Sequence, residues 1–102
     1  MREADYQRKI IQALEADGWY VVKIIQTNRN GWPDLQALKD GVCVFIEVKA
    51  PNGKLSELQK YRHRQLIKKG FTVLTLTQIT QHDIARLSPQ THRDGPIRDR
   101  DG

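Results

Sequence analysis

The sequence has little cysteine and histidine, and it lacks any long apolar run. Cys43 is the only cysteine, so an internal disulfide is excluded. The three histidines, His63, His82 and His92, are scattered and have no cysteine partners, which does not favour a zinc site. No stretch is long enough to span a bilayer, and the N-terminus has no signal-peptide core. We therefore expect a cytoplasmic protein that does not associate with a membrane.

Several catalytic and repeat signatures are also missing from the sequence. There is no glycine-rich phosphate loop, no nucleophile elbow and no internal repeat. The 102 residues suffice for one domain with a modest core. Lysine and arginine number 17 against 12 acidic residues, which gives a formal charge of +5. This balance is compatible with a polyanionic partner such as nucleic acid, although charge alone is weak evidence.

A short hairpin near the centre of the chain has the clearest secondary-structure signal. Asp40–Gly41 lies between two apolar, β-rich runs, residues 35–38 and 42–48. An Asp-Gly pair in this setting predicts a two-residue type I′ turn. Lys39 then pairs with Val42, and this first pair sets the register of the whole hairpin.

At the open end of the hairpin, this register places two carboxylates opposite each other. Asp34 faces Glu47 with Cβ atoms roughly 4.5–5.5 Å apart, and Lys49 follows on the face of Glu47. Opposed carboxylates repel, but a divalent cation between them turns the repulsion into coordination, and oxygen ligands suit Mg²⁺ or Mn²⁺. An ammonium group beside them would stabilise charge on a phosphate. We interpret the three residues as a phosphodiester-cleaving centre.

The pattern Asp…Glu-x-Lys also has an ordinary structural interpretation. Glu47 and Lys49 could belong to a solvated ladder of charges, and such short patterns recur by chance. The hairpin alone does not separate the two interpretations, so the flanking residues have to do so.

Hydrophobic periodicity and end signals predict the remaining elements. The predicted helices cover residues 3–17, 56–69 and 82–87, and the predicted strands cover residues 19–25, 35–38, 42–48 and 71–76. Glu3 heads the inward stripe of the first helix, which continues through Gln7, Ile10 and Leu14. A glutamate there suits either the positive end of the helix dipole or a metal site.

The second predicted helix begins at Ser56 and has an apolar side and a basic side. The apolar side is predicted to consist of Leu58, Tyr61 and Leu66, with Leu55 before the cap. Gln59 forms a capping box with Ser56, which is a structural role. The rest of the helix carries Lys60, Arg62, His63, Arg64, Lys68 and Lys69. These basic side chains suit either contacts with DNA phosphates or a solvated face.

Other residues are expected to serve packing or DNA contact. Cys43 alternates with apolar neighbours and is predicted to be a small core residue. Trp32 is predicted to be partly buried, although it could stack on a base at the edge of the site. The candidate phosphate-contacting residues are Arg29, Lys54, Lys60, Arg62 and Arg64. We expect one folded domain over residues 1–87, followed by a polar, flexible tail over residues 88–102.

The order helix, strand, hairpin, helix, strand resembles the restriction-endonuclease-like core of the PD-(D/E)xK nucleases. Within that superfamily the sequence is most similar to the small stand-alone form of the virus-type replication-repair nuclease (VRR-NUC) family. The matching motifs are Glu3, Gly31-Trp32-Pro33-Asp34, Glu47-Val48-Lys49, the segment Lys54–Gln59 and Gly70-Phe71-Thr72-Val73. The resemblance covers about residues 1–87. It implies an α/β fold of αβββαβ order, with a mixed four-stranded sheet flanked by helices.

The resemblance also implies roles for the matching residues. The implied holders of Mg²⁺ or Mn²⁺ are the carboxylates of Asp34 and Glu47, the carbonyl oxygen of Val48 and, directly or through water, Glu3. Lys49 would assist the attacking water, and Gln59 would orient that water or Lys49. Trp32 is bulkier than the small aliphatic residue often found at its position, which affects the shape of the substrate site rather than the metal ligands.

The family hydrolyses DNA phosphodiester bonds, and its stand-alone members resemble dimeric nucleases that resolve branched DNA. The resemblance thus implies an intracellular endonuclease of a bacterial or phage-infected cell, acting on branched DNA such as Holliday junctions. One chain of this size has one active centre, so cutting two strands favours a homodimer. Two alternatives stay open: a nuclease without structure selectivity, and a catalytically silent DNA-binding module. The intact set of Asp34, Glu47 and Lys49 argues against the silent module.

Overall fold

The computed structural model describes residues 1–87, which form three helices and four strands. In chain order these are α1 (Glu3–Ala16), β1 (Tyr20–Lys23), β2 (Leu35–Lys39), β3 (Val42–Val48), α2 (Glu57–Lys68), β4 (Thr72–Leu76) and α3 (Gln81–Leu87). Each predicted element is present, with small differences at its ends. The predicted tail, residues 88–102, lies outside the described residues. Within residues 1–87 no helix is long and apolar enough to cross a membrane.

The four strands form one mixed sheet in the order β1-β2-β3-β4. The β1–β2 and β2–β3 pairs are antiparallel, whereas β3 and β4 are parallel and are joined through α2. The hairpin has the predicted register, because Lys39 pairs with Val42. Its turn residues, Asp40 and Gly41, have φ of 48° and 80°, as a type I′ turn requires. The predicted mixed α/β architecture is confirmed.

One face of the sheet carries the apolar core. The helices α1 and α3 contribute Ile10, Leu14 and Ile84 to it, so both cover this face. The core residues of β2 and β3 follow the two-residue period of a strand and are Leu35, Ala37, Val44, Ile46 and Val48. The inward stripe predicted for α1 is confirmed, but Glu3 at its head is exposed.

The helix α2 lies on the opposite face, and its buried side is not the predicted one. Leu66 is buried as expected, but Leu58 and Tyr61 are 42% and 46% exposed. His63, which the sequence placed among the outward basic residues, is only 7% exposed. The physical reason is that Glu47 is buried on this face of the sheet. A buried carboxylate needs hydrogen-bond donors, so α2 turns polar side chains toward it.

The two packing predictions near the hairpin have different outcomes. Trp32 is partly buried as predicted, and its ring meets the edge of Phe45 with centroids 5.5 Å apart. Cys43 is half-buried, so its prediction as a core residue is wrong. It points to the face opposite the core near the hairpin tip, where its Sγ lies 3.9 Å from Gln36 Nε2.

Candidate active site

The carboxylate of Asp34 is fixed at the open end of the hairpin. The last ladder pair, Leu35 with Ile46, brings Asp34 opposite Glu47, as predicted. Asp34 Oδ2 accepts a hydrogen bond from the backbone N–H of Val48 at 2.8 Å. The side chain therefore takes a place that a main-chain acceptor would otherwise fill, and its direction is set by the end of β3.

The loop that leads into Asp34 is docked on α2. Gly31 has a φ of 81°, and a Cβ at this position would lie 2.9 Å from Leu58 Cγ and 3.0 Å from the Leu58 carbonyl oxygen. Glycine is therefore required both for the backbone conformation and for the close approach. Beside it, Arg62 Nε donates to the carbonyl oxygen of Asn30 at 2.7 Å. The position of Asp34 thus depends on how this loop rests on α2.

Glu47 lies on the same face as α2 and is 1% exposed. Gln59 Nε2 donates to Glu47 Oε2 at 3.2 Å, and His63 Nε2 lies 3.2 Å from Glu47 Oε1. Gln59 also forms the predicted capping box, since its Oε1 accepts from the Ser56 N–H at 2.9 Å and its own N–H donates to Ser56 Oγ at 3.1 Å. One helix turn therefore supplies a partner to each oxygen of the buried carboxylate.

The electrostatics of the pair favour a proton or a cation. Burial, a hydrogen bond with Asp34 and the negative charge of Asp34 raise the pKa of Glu47 to about 8. The Lys49 ammonium lowers this pKa, and the charge of Glu3 raises it further. Burial lowers the pKa of His63 below its ordinary value, so the imidazole is neutral at neutral pH. A raised pKa of this size means that Glu47 keeps its proton at neutral pH unless a cation takes its place.

The predicted site residues converge to different degrees. Glu47 contacts both Asp34 and Gln59. Lys49 is half-buried two residues after Glu47 and acts on it through charge. Glu3 is exposed at the head of α1, and its charge also reaches Glu47. The structure thus brings Asp34, Glu47 and Gln59 together, whereas Glu3 and Lys49 reach Glu47 through charge.

The donor set of the site fits a hard divalent cation. Within residues 1–87 no group of three or more His, Cys, Asp or Glu side chains is arranged to hold a metal ion. The carboxylates of Asp34 and Glu47 are nevertheless already in hydrogen-bonding contact and offer oxygen atoms only. Mg²⁺ and Mn²⁺ prefer such oxygens, and Mg²⁺ needs few protein ligands because it keeps several waters.

The candidate DNA-contacting residues differ in exposure and in the contacts that they make within the protein. Arg62 is half-buried and is committed to Asn30 and to Gln65 Oε1 at 2.9 Å. Lys60 pairs with Glu57 at 3.2 Å on the exposed side of α2. The other candidates are exposed and are Arg29, Lys54 and Arg64. A cleft of about 330 Å³, bordered by Arg29, Trp32 and Asp34 among others, gives access to the site from the loop side.

His63 is the candidate that the sequence interpretation missed. It lies among basic residues in the sequence, so it was assigned to the solvent-exposed side of the helix. One signal was available: His63 follows Gln59 by four residues, so the two share a side of the helix. A prediction that puts Gln59 at the site therefore implies that His63 lies near the site as well.

Comparison with known proteins finds a family, a related sequence and a solved structure that this chain resembles. The model of the VRR-NUC domain family matches residues 2–77. The candidate nuclease p44 of Acyrthosiphon pisum secondary endosymbiont phage 1 is 31% identical over 77 residues, which cover 74% of this chain and 83% of the phage protein. A solved VRR-NUC domain superposes with a TM-score of 0.69 at 31% identity, over 83% of this chain and 91% of that domain.

Proposed function

The chain belongs to the VRR-NUC family, and from that membership we propose that it is a divalent-metal-dependent endonuclease that hydrolyses DNA phosphodiester bonds. The observation that carries this proposal is the buried pair of Asp34 and Glu47. Like charges directly opposite each other destabilise a ladder, and burial increases the penalty. A fold retains such a pair most readily where it binds a cation.

Each site residue has a task in this proposal. The cation is held by the carboxylates of Asp34 and Glu47 and by the Val48 carbonyl oxygen, with Glu3 adding negative charge nearby. When bound, the cation lowers the pKa of a water and neutralises charge that develops on the scissile phosphate. Lys49 places its ammonium beside the reacting phosphate and stabilises the same charge. Gln59 keeps the Glu47 carboxylate oriented through its N–H.

The basic residues near the site hold the neighbouring phosphates. Arg29, Lys54, Lys60 and Arg64 present charged side chains to solvent, and such contacts make DNA binding dependent on salt. Arg62 contributes by securing the loop before Asp34, in addition to its own charge. Phosphate contacts position the backbone without reading bases, so we expect little sequence preference from this set.

We further propose that the substrate is branched DNA, such as a four-way junction, and that the active form is a homodimer. Residues 1–87 of one chain carry one such site, whereas resolving a junction requires two cuts on two strands. A two-fold symmetric dimer supplies two sites in a fixed relation. Light scattering of the DNA complex tests this part, and a complex with one chain per junction would contradict it.

Cleavage of matched substrates tests the proposed reaction. Labelled four-way junction, splayed-arm and linear duplex DNA are incubated with Mg²⁺, Mn²⁺ or EDTA. The wild type is compared with Asp34→Asn, which keeps an oxygen for the Val48 N–H, with Lys49→Ala, and with the control Glu15→Gln on exposed α1 surface. We expect metal-dependent cutting by the wild type and the control, and loss of cutting in the two site variants.

The pattern of products separates the alternatives. Paired, symmetric nicks confined to the junction support junction resolution. Equal cutting of all three substrates keeps the nuclease and removes the selectivity for branches. Binding without any metal-dependent cutting favours a DNA-binding module that uses the same fold.

A further inference from the structure

His63 is a buried polar residue on a helix whose other basic side chains are mostly exposed. It is 7% exposed, whereas Arg64 next to it in sequence is exposed. Its Nε2 lies 3.2 Å from Glu47 Oε1, within the distance of a hydrogen bond. The buried imidazole therefore contacts one oxygen of the acidic pair rather than the apolar core.

Gln59 and His63 divide the two oxygens of Glu47 between them. Gln59 Nε2 reaches Oε2 at 3.2 Å, and His63 reaches Oε1 at the same distance from one turn further along α2. A carboxylate held at one oxygen can still rotate about its last torsion. With both oxygens held from a rigid helix, its plane is fixed relative to the sheet.

The imidazole is placed to act as a hydrogen-bonding group toward Glu47. An ionised carboxylate oxygen only accepts hydrogen bonds, so the ring nitrogen that faces it has to carry the proton. Each carboxylate oxygen has two lone pairs, so an oxygen that accepts one hydrogen bond can still bind a cation.

We propose that His63 is a positioning residue whose Nε2–H donates to Glu47 Oε1 and fixes the carboxylate in the orientation that faces Asp34. This inference rests on the proposed function, because the orientation matters for holding a divalent cation. His63 itself touches neither the cation nor the scissile phosphate. Its loss therefore weakens cation binding more than it slows cleavage at saturating cation.

Binding of Mn²⁺ to the full chain without DNA tests the inference by titration calorimetry. His63→Leu removes the donor and keeps apolar bulk, whereas His63→Gln retains an N–H close to the position of the histidine Nε2. We expect His63→Leu to weaken Mn²⁺ binding by about 10–100-fold, as is usual for a group that orients a metal ligand. His63→Gln should recover most of the affinity, and His82→Leu, on the exposed surface of α3, should bind like the wild type.

Two controls separate this role from a merely structural one. Thermal unfolding in EDTA reports whether the variants fold, and the pattern of affinities should hold among folded variants. If His63→Leu binds Mn²⁺ as tightly as the wild type, or if His63→Gln binds as weakly as His63→Leu, the positioning role is wrong. If Glu47→Gln leaves Mn²⁺ binding unchanged as well, the proposed metal site itself fails.

A measurement on the wild type covers the case in which His63→Leu does not fold. Nitrogen chemical shifts of labelled histidine, recorded in excess Mg²⁺, distinguish the two neutral tautomers. We expect His63 to carry its proton on Nε2, with the resonance assigned by its disappearance in His63→Gln. A proton on Nδ1 would put a lone pair toward Glu47 and would overturn the inference.

Discussion

The two ends of the β2–β3 hairpin carry charged residues in opposite arrangements. At the tip, Lys39 Nζ donates to the Asp17 carbonyl oxygen at 2.6 Å and lies 3.4 Å from Asp17 Oδ2. At the open end, Asp34 and Glu47 bring two carboxyls together, and Glu47 is 1% exposed. The tip thus joins opposite charges at a partly solvated position, and the open end joins two acidic groups in the interior.

The difference comes from what packs against the ladder rather than from the ladder itself. Both ends continue the same antiparallel register. The end of α1 brings a carbonyl and a carboxylate to the tip, where they satisfy Lys39. The first turns of α2 bring Gln59 and His63 to the open end, where they hold Glu47 without neutralising it. One end therefore serves stability, and the other holds two carboxyls toward each other in the interior.

The largest effect should come from Glu47→Gln, which removes the charge at the open end and preserves its shape. We expect DNA cleavage to fall by about 10³-fold or more, because stabilisation of the transition-state charge is lost. In EDTA above about pH 8 the variant should be at least as stable as the wild type, since at that pH Glu47 carries a buried charge beside Asp34 and glutamine does not. Single-turnover cleavage and thermal unfolding measure the two effects. A variant that still cuts at the wild-type rate would remove the open end from the reaction.

The pH dependence of stability should also distinguish the two ends. Glu47 binds its proton more tightly in the folded chain, because its pKa rises from 4.5 to about 8. A carboxyl whose pKa is raised by folding stabilises the fold at pH values below its pKa in the unfolded chain. This contribution is lost as the pH rises through its pKa in the folded chain. In EDTA the free energy of unfolding should therefore decrease from about pH 5 to above pH 8, and Glu47→Gln should remove this slope. An unchanged slope in Glu47→Gln would assign the effect to another group.

The glycines at the two ends offer a matched test of how each end is built. Gly31 and Gly41 have nearly equal φ, 81° and 80°, but only at Gly31 would a Cβ meet Leu58. Gly41→Ala should cost about 1–2 kcal/mol through its backbone conformation. Gly31→Ala should cost more, by roughly 1 kcal/mol, and it should also impair cleavage, because its loop carries Asp34. Urea unfolding and cleavage assays measure both, and equal losses in the two variants would mean that the loop is not held by α2.

The smallest effect should come from Lys39→Ala at the tip. Loss of the contacts with Asp17 should lower the free energy of unfolding by about 1 kcal/mol, or roughly 4–8 °C in Tm. Cleavage should not change, because the tip lies at the far end of the hairpin. Lys23→Ala on the exposed side of β1 serves as the control for a loss of charge. A strong loss of cleavage in Lys39→Ala would show that the two ends are coupled.

The sequence predicted the hairpin well because its signals are local. Asp40–Gly41 sets the turn, the turn sets the register, and the two-residue period of a strand carries the register to Asp34 and Glu47. The family resemblance led to the same pair from its motifs. These steps required no knowledge of what packs on the sheet.

The orientation of α2 could not be predicted in the same way. Its apolar stripe is thin, so Leu58 and Tyr61 were as good candidates for the inward side as any other set. The orientation of α2 is instead determined by Glu47, a buried residue on β3, because Gln59 and His63 turn inward to form hydrogen bonds with it. Interactions of this kind link residues through the assembled fold, and helical periodicity does not contain them.

The capping box at Ser56 links the start of α2 to the orientation of Glu47. The Gln59 amide uses its oxygen to begin α2 and its nitrogen to hold Glu47, so one planar group serves both purposes. Fraying of that first turn therefore releases the carboxylate at the same moment. A nascent or partly unfolded chain then lacks the ordered carboxyl pair, which forms only when α2 has begun at Ser56 and has packed on the sheet.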